Sequence, residues 1–270
     1  MPAIHAATFG NDLARITMLV NEDPEAVNSM TGTERLYVAP LHIAITIGSL
    51  EAASCLLHHG ANINQNAITR RGIMTPLHQA CLNQFPDMVE LLMERGADPT
   101  ICFTDGTTPL LTAVQMKSVE CVRSLLKYDL ARTVVEWHSH DCEDTPLEQA
   151  CLHGQAEIVK LLLDAGADPT VRSSRDMTPL IVATYRGSVD VAKHLLNDDR
   201  GRSTIDDISS NGSTALAIAC YLDKPEIIKL LLDAGADPLL TGSYGQKPVD
   251  IAVLRGHHDC AKLLKVTRWL

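Results

Sequence analysis

Between residues 145 and 170 the chain reads TPLEQACLHGQAEIVKLLLDAGADPT, and its apolar positions fall into two patterns. Leu147, Ala150 and Cys151 are spaced i, i+3, i+4, which is one face of a helix. Ile158, Val159, Leu161, Leu162 and Leu163 make the next segment apolar over much of its circumference, so it needs burial on more than one side. The patterns predict a first helix over 146–152 and a second over 156–163. Local chemistry agrees. Pro146 suits a first helical position, where its missing N–H would be unpaired anyway, and Thr145 fits the N-cap before it. Gly154 and Gly166 suit the positive φ that helix C-termini often need. Helices this short do not persist alone in water, so something must pack on both.

The partners are copies of the same unit. The position of Thr145 recurs as Ala39, Thr75, Thr108, Thr178, Thr214 and Lys247, at spacings of 33 to 37 residues. A second motif follows about 20 residues after several starts: LLHHGAN from Leu56, LMERGAD from Leu92, and LLDAGAD from Leu162 and Leu231. The first motif stands as APLHIA from Ala39 and TPLHQA from Thr75, then more weakly as TPLLTA, TPLEQA, TPLIVA, TALAIA and KPVDIA. This pair of motifs resembles the ankyrin repeat over essentially the whole chain. The resemblance implies two antiparallel helices per repeat and a hairpin-like loop to the next. The expected fold is an all-α solenoid of about eight stacked helix-turn-helix units, starting near residues 2, 39, 75, 108, 145, 178, 214 and 247. Such repeats bury their apolar faces on their neighbours. No Pro/Gly/Ser-rich linker interrupts residues 1–270, so a single domain is expected.

Some repeats depart from the pattern. Residues 2–28 read as a degenerate first repeat, with Ile4 and His5 where Leu and His of the motif belong and Asp23-Pro24 in place of the closing glycine. Residues 29–38 make a longer link into the next repeat. In the fourth repeat, opening at Thr108, Leu126-Lys127-Tyr128-Asp129 replaces the turn glycine and leads into a long loop over 130–144. The repeat opening at Thr178 departs similarly, as LLNDDRGRSTIDD from Leu195. The last repeat ends in KLLKVTRWL, where Lys262, Lys265 and Arg268 would give a polar outer side. A start at Met1 and an atypical last repeat fit a complete chain, although a fragment or a regulatory subunit is a further reading.

Composition narrows the function. Hydrophobic residues make up 46% of the chain and aromatics only 4%, so the core must be Leu, Ile, Val and Ala. The formal net charge is −10, and no basic face for nucleic acid is evident. There is no Lys/Arg run for an anionic membrane or nuclear import, no secretory signal, and no apolar run near the length of a membrane span. Eight cysteines without an export signal read as reduced thiols in a cytoplasmic protein, or a nuclear one.

The resemblance implies a protein partner held in a concave groove, lined by hairpin tips and by positions seven and eight residues after each motif start. Those positions run from Thr46 and Ile47 through Leu82, Asn83, Leu152 and Leu222 to Leu254 and Arg255, and among them Gln115, Met116, His153, Tyr185, Arg186 and Tyr221 are the expected partner-binding residues, with Trp137 in the long loop nearby. Tyr and Arg are favoured in binding hot spots, and Met adapts to irregular surfaces. Alternatively, Tyr185 and Tyr221 only cover seams between repeats. The loop over 136–144 holds His138, His140 and Cys142, an H-x-H-x-C spacing. Alternation along an extended hairpin would put all three on one side. A structural zinc site takes four ligands, usually as two separated pairs, and no second pair is evident, so neither metal nor cofactor is expected. A polar hairpin tip is the simpler reading. The alternative function is an unusual enzyme or small-molecule binder. There His138 or His140 would be a general base oriented by Glu143 or Asp144, with His153, Tyr185 and Arg186 around the substrate. No nucleophile motif or phosphate-binding loop supports it, and the enzyme reading is the less favoured. A deep pocket would favour it; an open groove would favour a scaffold.

Cys81, Cys151 and Cys220 share one repeat position, where a small apolar residue belongs, and Cys55, Cys121 and Cys260 fall in second helices. All six are expected to be buried, leaving Cys102 and Cys142 as the more reactive thiols. His42 and His78 fill the motif's histidine position, which the resemblance implies ties neighbouring loops together. His58-His59 and His257-His258 read as exposed helix residues.

Overall fold

Each repeat begins with a helix whose first turn is closed by the motif itself. The hydroxyls of Thr75, Thr108, Thr145, Thr178 and Thr214 accept the backbone N–H three residues on, at 3.2–3.4 Å. At Thr145 the bond is reciprocated, because Glu148 Oε2 accepts from Thr145 N at 2.9 Å. Ala39 has no side-chain cap, and at Lys247 the carboxylate of Asp250 accepts the backbone N–H at 3.3 Å instead.

The computed structural model describes residues 2–33, 36–69, 72–103, 105–139, 144–242 and 245–266. It divides into two units, Met1–Cys142 and Glu143–Leu270. The first holds the helix pairs Ala3–Phe9 with Leu13–Glu22, Pro40–Thr46 with Leu50–His58, Pro76–Leu82 with Pro86–Glu94, and Pro109–Gln115 with Val119–Leu126. The second holds Pro146–Leu152 with Ala156–Asp164, Pro179–Arg186 with Val189–Asn197, Ala215–Tyr221 with Pro225–Asp233, and Pro248–Leu254 with His258–Val266. Within each unit first helices stack on first helices and second helices on second helices. None of the helices among the described residues is long and apolar enough to cross a membrane.

Packing explains the motif letters. The motif leucine is buried in six repeats, as Leu41, Leu77, Leu110, Leu147, Leu180 and Leu216. The alanine three residues further on is completely buried in seven, as Ala44, Ala80, Ala113, Ala150, Ala183, Ala219 and Ala252. A larger side chain there would hold adjacent first helices apart. Cys81, Cys151 and Cys220 are also fully buried, and burial pushes the Cys220 thiol up to about 12 and that of Cys151 higher still. Cys121 and Cys260 are buried as expected, whereas Cys55 is only half-buried; Cys102 is exposed and Cys142 lies outside the described residues.

The loops are tied to one another by side chains. The aspartate or asparagine of the GA[DN] motif donates its N–H to a side-chain oxygen of the preceding loop: Asn62 to Asn28, Asp98 to Asn64 and Asp237 to Asp206, at 2.7–3.0 Å. The ring of His78 bonds at both nitrogens, Nε2 to Thr107 O at 3.1 Å and Nδ1 to the Thr75 hydroxyl at 2.8 Å. A carbonyl only accepts, so Nε2 carries the proton and Nδ1 accepts from the hydroxyl. His5 makes the matching bond, donating from Nε2 to Val38 O at 3.2 Å. His257, expected to be exposed, is half-buried and donates from Nδ1 to Cys220 O at 2.9 Å.

Two hairpins form in the first unit: β1 (Thr31–Thr33) with β2 (Leu36–Val38), and β3 (Ala67–Thr69) with β4 (Gly72–Met74). They join into a four-stranded antiparallel sheet, β1-β2-β3-β4, through the Tyr37–Ile68 pairing. The later loops close by a shared turn, seen in Phe103 N to Thr107 O, Ser173 N to Met177 O, Ser209 N to Ser213 O and Gly242 N to Gln246 O. Its fourth residue has positive φ: Gly106, Gly212, Gly245 and, without glycine's freedom, Asp176 at 57°. Asp176 is held there by Arg172 Nη1, which donates to its carbonyl and its carboxylate at 3.2 Å each and to Ile208 O at 2.8 Å.

The two irregular junctions are not extended loops. Each continues as a short helix, Asp129–Arg132 and Asp199–Ser203. In both, an arginine reaches back six residues to a carbonyl at the end of the second helix: Arg132 Nε to Leu126 O and Arg202 Nε to Leu196 O, each at 2.9 Å. That bond satisfies an otherwise orphaned helix carbonyl, which a turn glycine handles in the regular repeats. Of the alternation expected of His138, His140 and Cys142, the last two residues lie outside the described residues.

Two predictions test this packing. Ala150→Leu should destabilise by about 1–3 kcal/mol through overpacking, and Leu147→Ala by about 2–5 kcal/mol through a cavity, both read from urea unfolding. A neutral Ala150→Leu would contradict the close approach of the helices. The second concerns pH. Burial, above all, lowers His42 and His78 from the ordinary 6.5 to about 4. The unfolded chain therefore takes up protons that the native state refuses. The stability these residues contribute is complete above pH 6.5 and is lost as pH falls towards 4. About 2 kcal/mol per histidine should be lost between about pH 7 and pH 5, and His78→Gln should remove its share of that slope. A flat stability profile over this range would contradict the buried, neutral rings.

Candidate functional site

In the unit Glu143–Leu270, the position seven residues after each motif start is Leu152, Tyr185, Tyr221 and Leu254. Each lies at the end of a first helix, where the apolar stripe that faces the neighbouring repeat has run out. Tyr185 is 57% exposed, Tyr221 50% and Leu254 70%, while Leu152 is half-buried. The repeat thus presents large side chains at one point of each stacked helix.

These residues line a trough. One part, of about 990 Å³, lies among Tyr185, Asn211, Tyr221, Gln246, Leu254 and Arg255. The next part, of about 620 Å³, lies among Leu152, Arg175, Met177, Tyr185, Arg186 and Asn211. Tyr185, Ser210, Asn211 and Ile218 belong to both, so the trough is continuous across successive repeats. Its walls are first-helix ends on one side and loop residues on the other.

The Arg255 guanidinium lies 3.6 Å above the centre of the Tyr221 ring. Such a cation–π contact stabilises an exposed pair by about 0.5–1 kcal/mol and fixes the ring's orientation. At the margin, Gly187 has φ of +72°, and a Cβ there would meet the Lys224 side chain at about 3.0 Å. The absent side chain lets Lys224 lie beside the end of the Arg186 helix. Asp144 is raised above the usual carboxylate range by burial, against the pull of the Gln149 amide, 2.9 Å away, and of Arg175.

The expected site residues are shared between the two units. Tyr185, Arg186 and Tyr221 come together along the trough. His153 is exposed beside Leu152, at the end of the Pro146–Leu152 helix, and lines neither part. Gln115, Met116, Trp137 and His138 belong to the other unit. There Gln115, Trp137 and His138 are exposed and Met116 is half-buried. Trp137 N donates to Val134 O at 3.1 Å, and His138 Nδ1 approaches the Ser139 carbonyl only at 3.5 Å. His140, Cys142 and Glu143 lie outside the described residues. Among the described residues no group of three His, Cys, Asp or Glu is placed to hold a metal. Leu254 and Arg255, also expected from the repeat register, line the trough as well. Arg175, Ser210 and Asn211 come from loops, where no periodic signal marks a lining position.

In the first unit the polar groups near the matching positions bond internally. Gln79 Nε2 donates to the Thr46 hydroxyl at 2.6 Å and to His42 O at 3.1 Å, and Asn83 Nδ2 donates to Ile45 O at 3.4 Å.

Stacked, threonine-capped helix pairs with exposed first-helix ends define a repeat protein, and sequence comparison places it. The family model "Ankyrin repeats (3 copies)" matches residues 3–102, 77–173, 132–204 and 180–267, and the chain belongs to the ankyrin repeat family. It is 30% identical over 276 residues to Ankyrin repeat and SOCS box protein 16 of Mus musculus, covering 93% of this chain and 59% of that protein. It is 30% identical over 222 residues to B-cell lymphoma 3 protein of Homo sapiens, covering 79% of this chain and 47% of that one. The chain therefore spans only part of these relatives. Among solved structures, the human ASB11 ankyrin repeat domain matches with a TM-score of 0.63 at 27% identity, covering 84% of this chain and 98% of that one. The ankyrin repeat domain of Bcl-3 has a TM-score of 0.66 at 24% identity, covering 97% of this chain and 98% of that chain, which shows the shared fold.

Gly187→Ala tests the trough's margin. A side chain at positive φ that also displaces Lys224 should cost about 1 kcal/mol or more in urea unfolding. An unchanged midpoint would contradict the conformation described for this turn.

Proposed function

We propose that the chain is a protein-binding scaffold and that the trough along Leu152, Tyr185, Tyr221 and Leu254 receives a segment of its partner. The observation that carries this reading is the pair of half-exposed tyrosines on successive repeats, one of them ordered by Arg255. Tyrosines that only sealed seams between repeats would be expected to lie deeper. Large, orientationally fixed aromatics that remain in contact with water are the usual anchors of protein interfaces, because they bury much apolar area at little cost in side-chain entropy. Membership of the ankyrin repeat family supports the same reading. A stable partner would cover about 800 Å² of this face, so loop residues beyond the trough would join the contact.

The test uses the full chain, immobilised, with captured proteins quantified by mass spectrometry. Tyr185→Ala with Tyr221→Ala should weaken capture at least about tenfold while the thermal unfolding midpoint stays near that of the parent, as loss of two anchors implies. Undiminished capture by the double variant would remove the trough from the binding function.

A further inference from the structure

We propose that the trough selects an extended acidic segment, with apolar or aromatic side chains between its carboxylates. This rests on the trough being the binding face, and it adds the chemistry of what binds there.

Asp176 is the carboxylate among the lining residues, and an internal donor engages it. It accepts from Arg172 Nη1 at 3.2 Å; outside the lining, Asp144 accepts from Gln149 at 2.9 Å and Asp223 from the Cys260 thiol at 3.1 Å. The cations are not matched in this way. Arg186 lines one part of the trough and Arg255 the other, and among the described residues neither forms an ion pair with a carboxylate. Lys224 lies against Gly187, immediately after Arg186. In a chain with a net charge of −10, this face is a local exception.

The neutral lining has the same polarity. Asn211 belongs to both parts of the trough. Its Oδ1 is taken by the Ser209 hydroxyl at 2.6 Å and by Ser213 N at 3.2 Å. A backbone N–H only donates, so the bond from Ser213 fixes the amide and leaves Nδ2 as the available group. Asn211 therefore offers a donor in the stretch shared by the parts that hold the two arginines. A carboxylate, or the carbonyl of an extended backbone, is what this set of donors recognises. Tyr185, Tyr221 and Leu254 supply apolar surface between them.

The dimensions suit an extended strand. Stacked first helices lie about 8–10 Å apart, so the four helix ends span roughly 25–30 Å. An extended chain of about eight residues covers that distance. A nucleic acid strand would also meet tyrosines and arginines, but the net charge of the chain repels a long polyanion, whereas a short peptide carries few charges.

A display library of ten-residue linear peptides, selected on the full chain, tests this directly. Enriched peptides should carry at least about twice the Asp and Glu content of the input library. A parallel selection on the Arg186→Gln, Arg255→Gln double variant should lose that excess. The best wild-type peptide should bind the double variant about tenfold more weakly, and its affinity should fall with added salt, as expected for partly exposed charge contacts. Selected peptides without an acidic excess, an equal excess on both proteins, or no enrichment would overturn the proposal. So would tight binding of a labelled single-stranded RNA oligonucleotide that the double variant loses. Should peptides without acidic bias be lost on Tyr185→Ala with Tyr221→Ala, the binding trough stands and only its charge preference fails. Peptides indifferent to both sets of variants would remove the trough as well.

Discussion

The fold depends on how closely the first helices of successive repeats approach, and one small residue sets that distance. Seven alanines at the same register, from Ala44 to Ala252, are completely buried. Neighbouring positions carry leucine and cysteine, which fill the remaining space without pushing the helices apart. In an interior this dense, an extra methylene has nowhere to go. Because each repeat contacts only its neighbours, the same constraint must be met again at every step of the stack.

Close stacking has a consequence for the loops. Once first helices are in register, the residue before each motif start comes within reach of the preceding repeat's histidine. His5 and His78 use that proximity to bond Val38 O and Thr107 O. The Asx residues of the GA[DN] motif bond in the opposite sense, each donating to the loop before it. The loops therefore form a tied row rather than independent excursions, and a row of this kind can serve as one wall of a trough. The opposite wall, made of helix ends, is held by the alanine packing.

Much of this was legible in the sequence. Motif spacing located eight helix pairs, because Thr, Pro, Leu, Ala and Gly each act locally and recur at a fixed register. The short helices Asp129–Arg132 and Asp199–Ser203 were not legible. Four or five residues carry no usable periodicity, and what holds each helix in place is an arginine bonding a carbonyl six residues back. The site divided along the same line. Tyr185, Arg186 and Tyr221 followed from the register, whereas the stacking of Arg255 on Tyr221 and the fixed amide of Asn211 join groups brought together only by folding. Of the cluster expected around His138, His140 and Glu143 lie outside the described residues, and His138 belongs to the first unit while His153, Tyr185 and Arg186 belong to the second.

The central claim is that helix ends left over from the stacking form the working surface of the unit Glu143–Leu270. Amide hydrogen exchange of the full chain, with and without a saturating bound partner or selected peptide, tests it most directly. The account predicts new protection at the ends of Pro179–Arg186, Ala215–Tyr221 and Pro248–Leu254 and in the loop around Asn211, with the second helices unchanged. Protection confined to the second helices Ala156–Asp164, Val189–Asn197 and Pro225–Asp233 would contradict it.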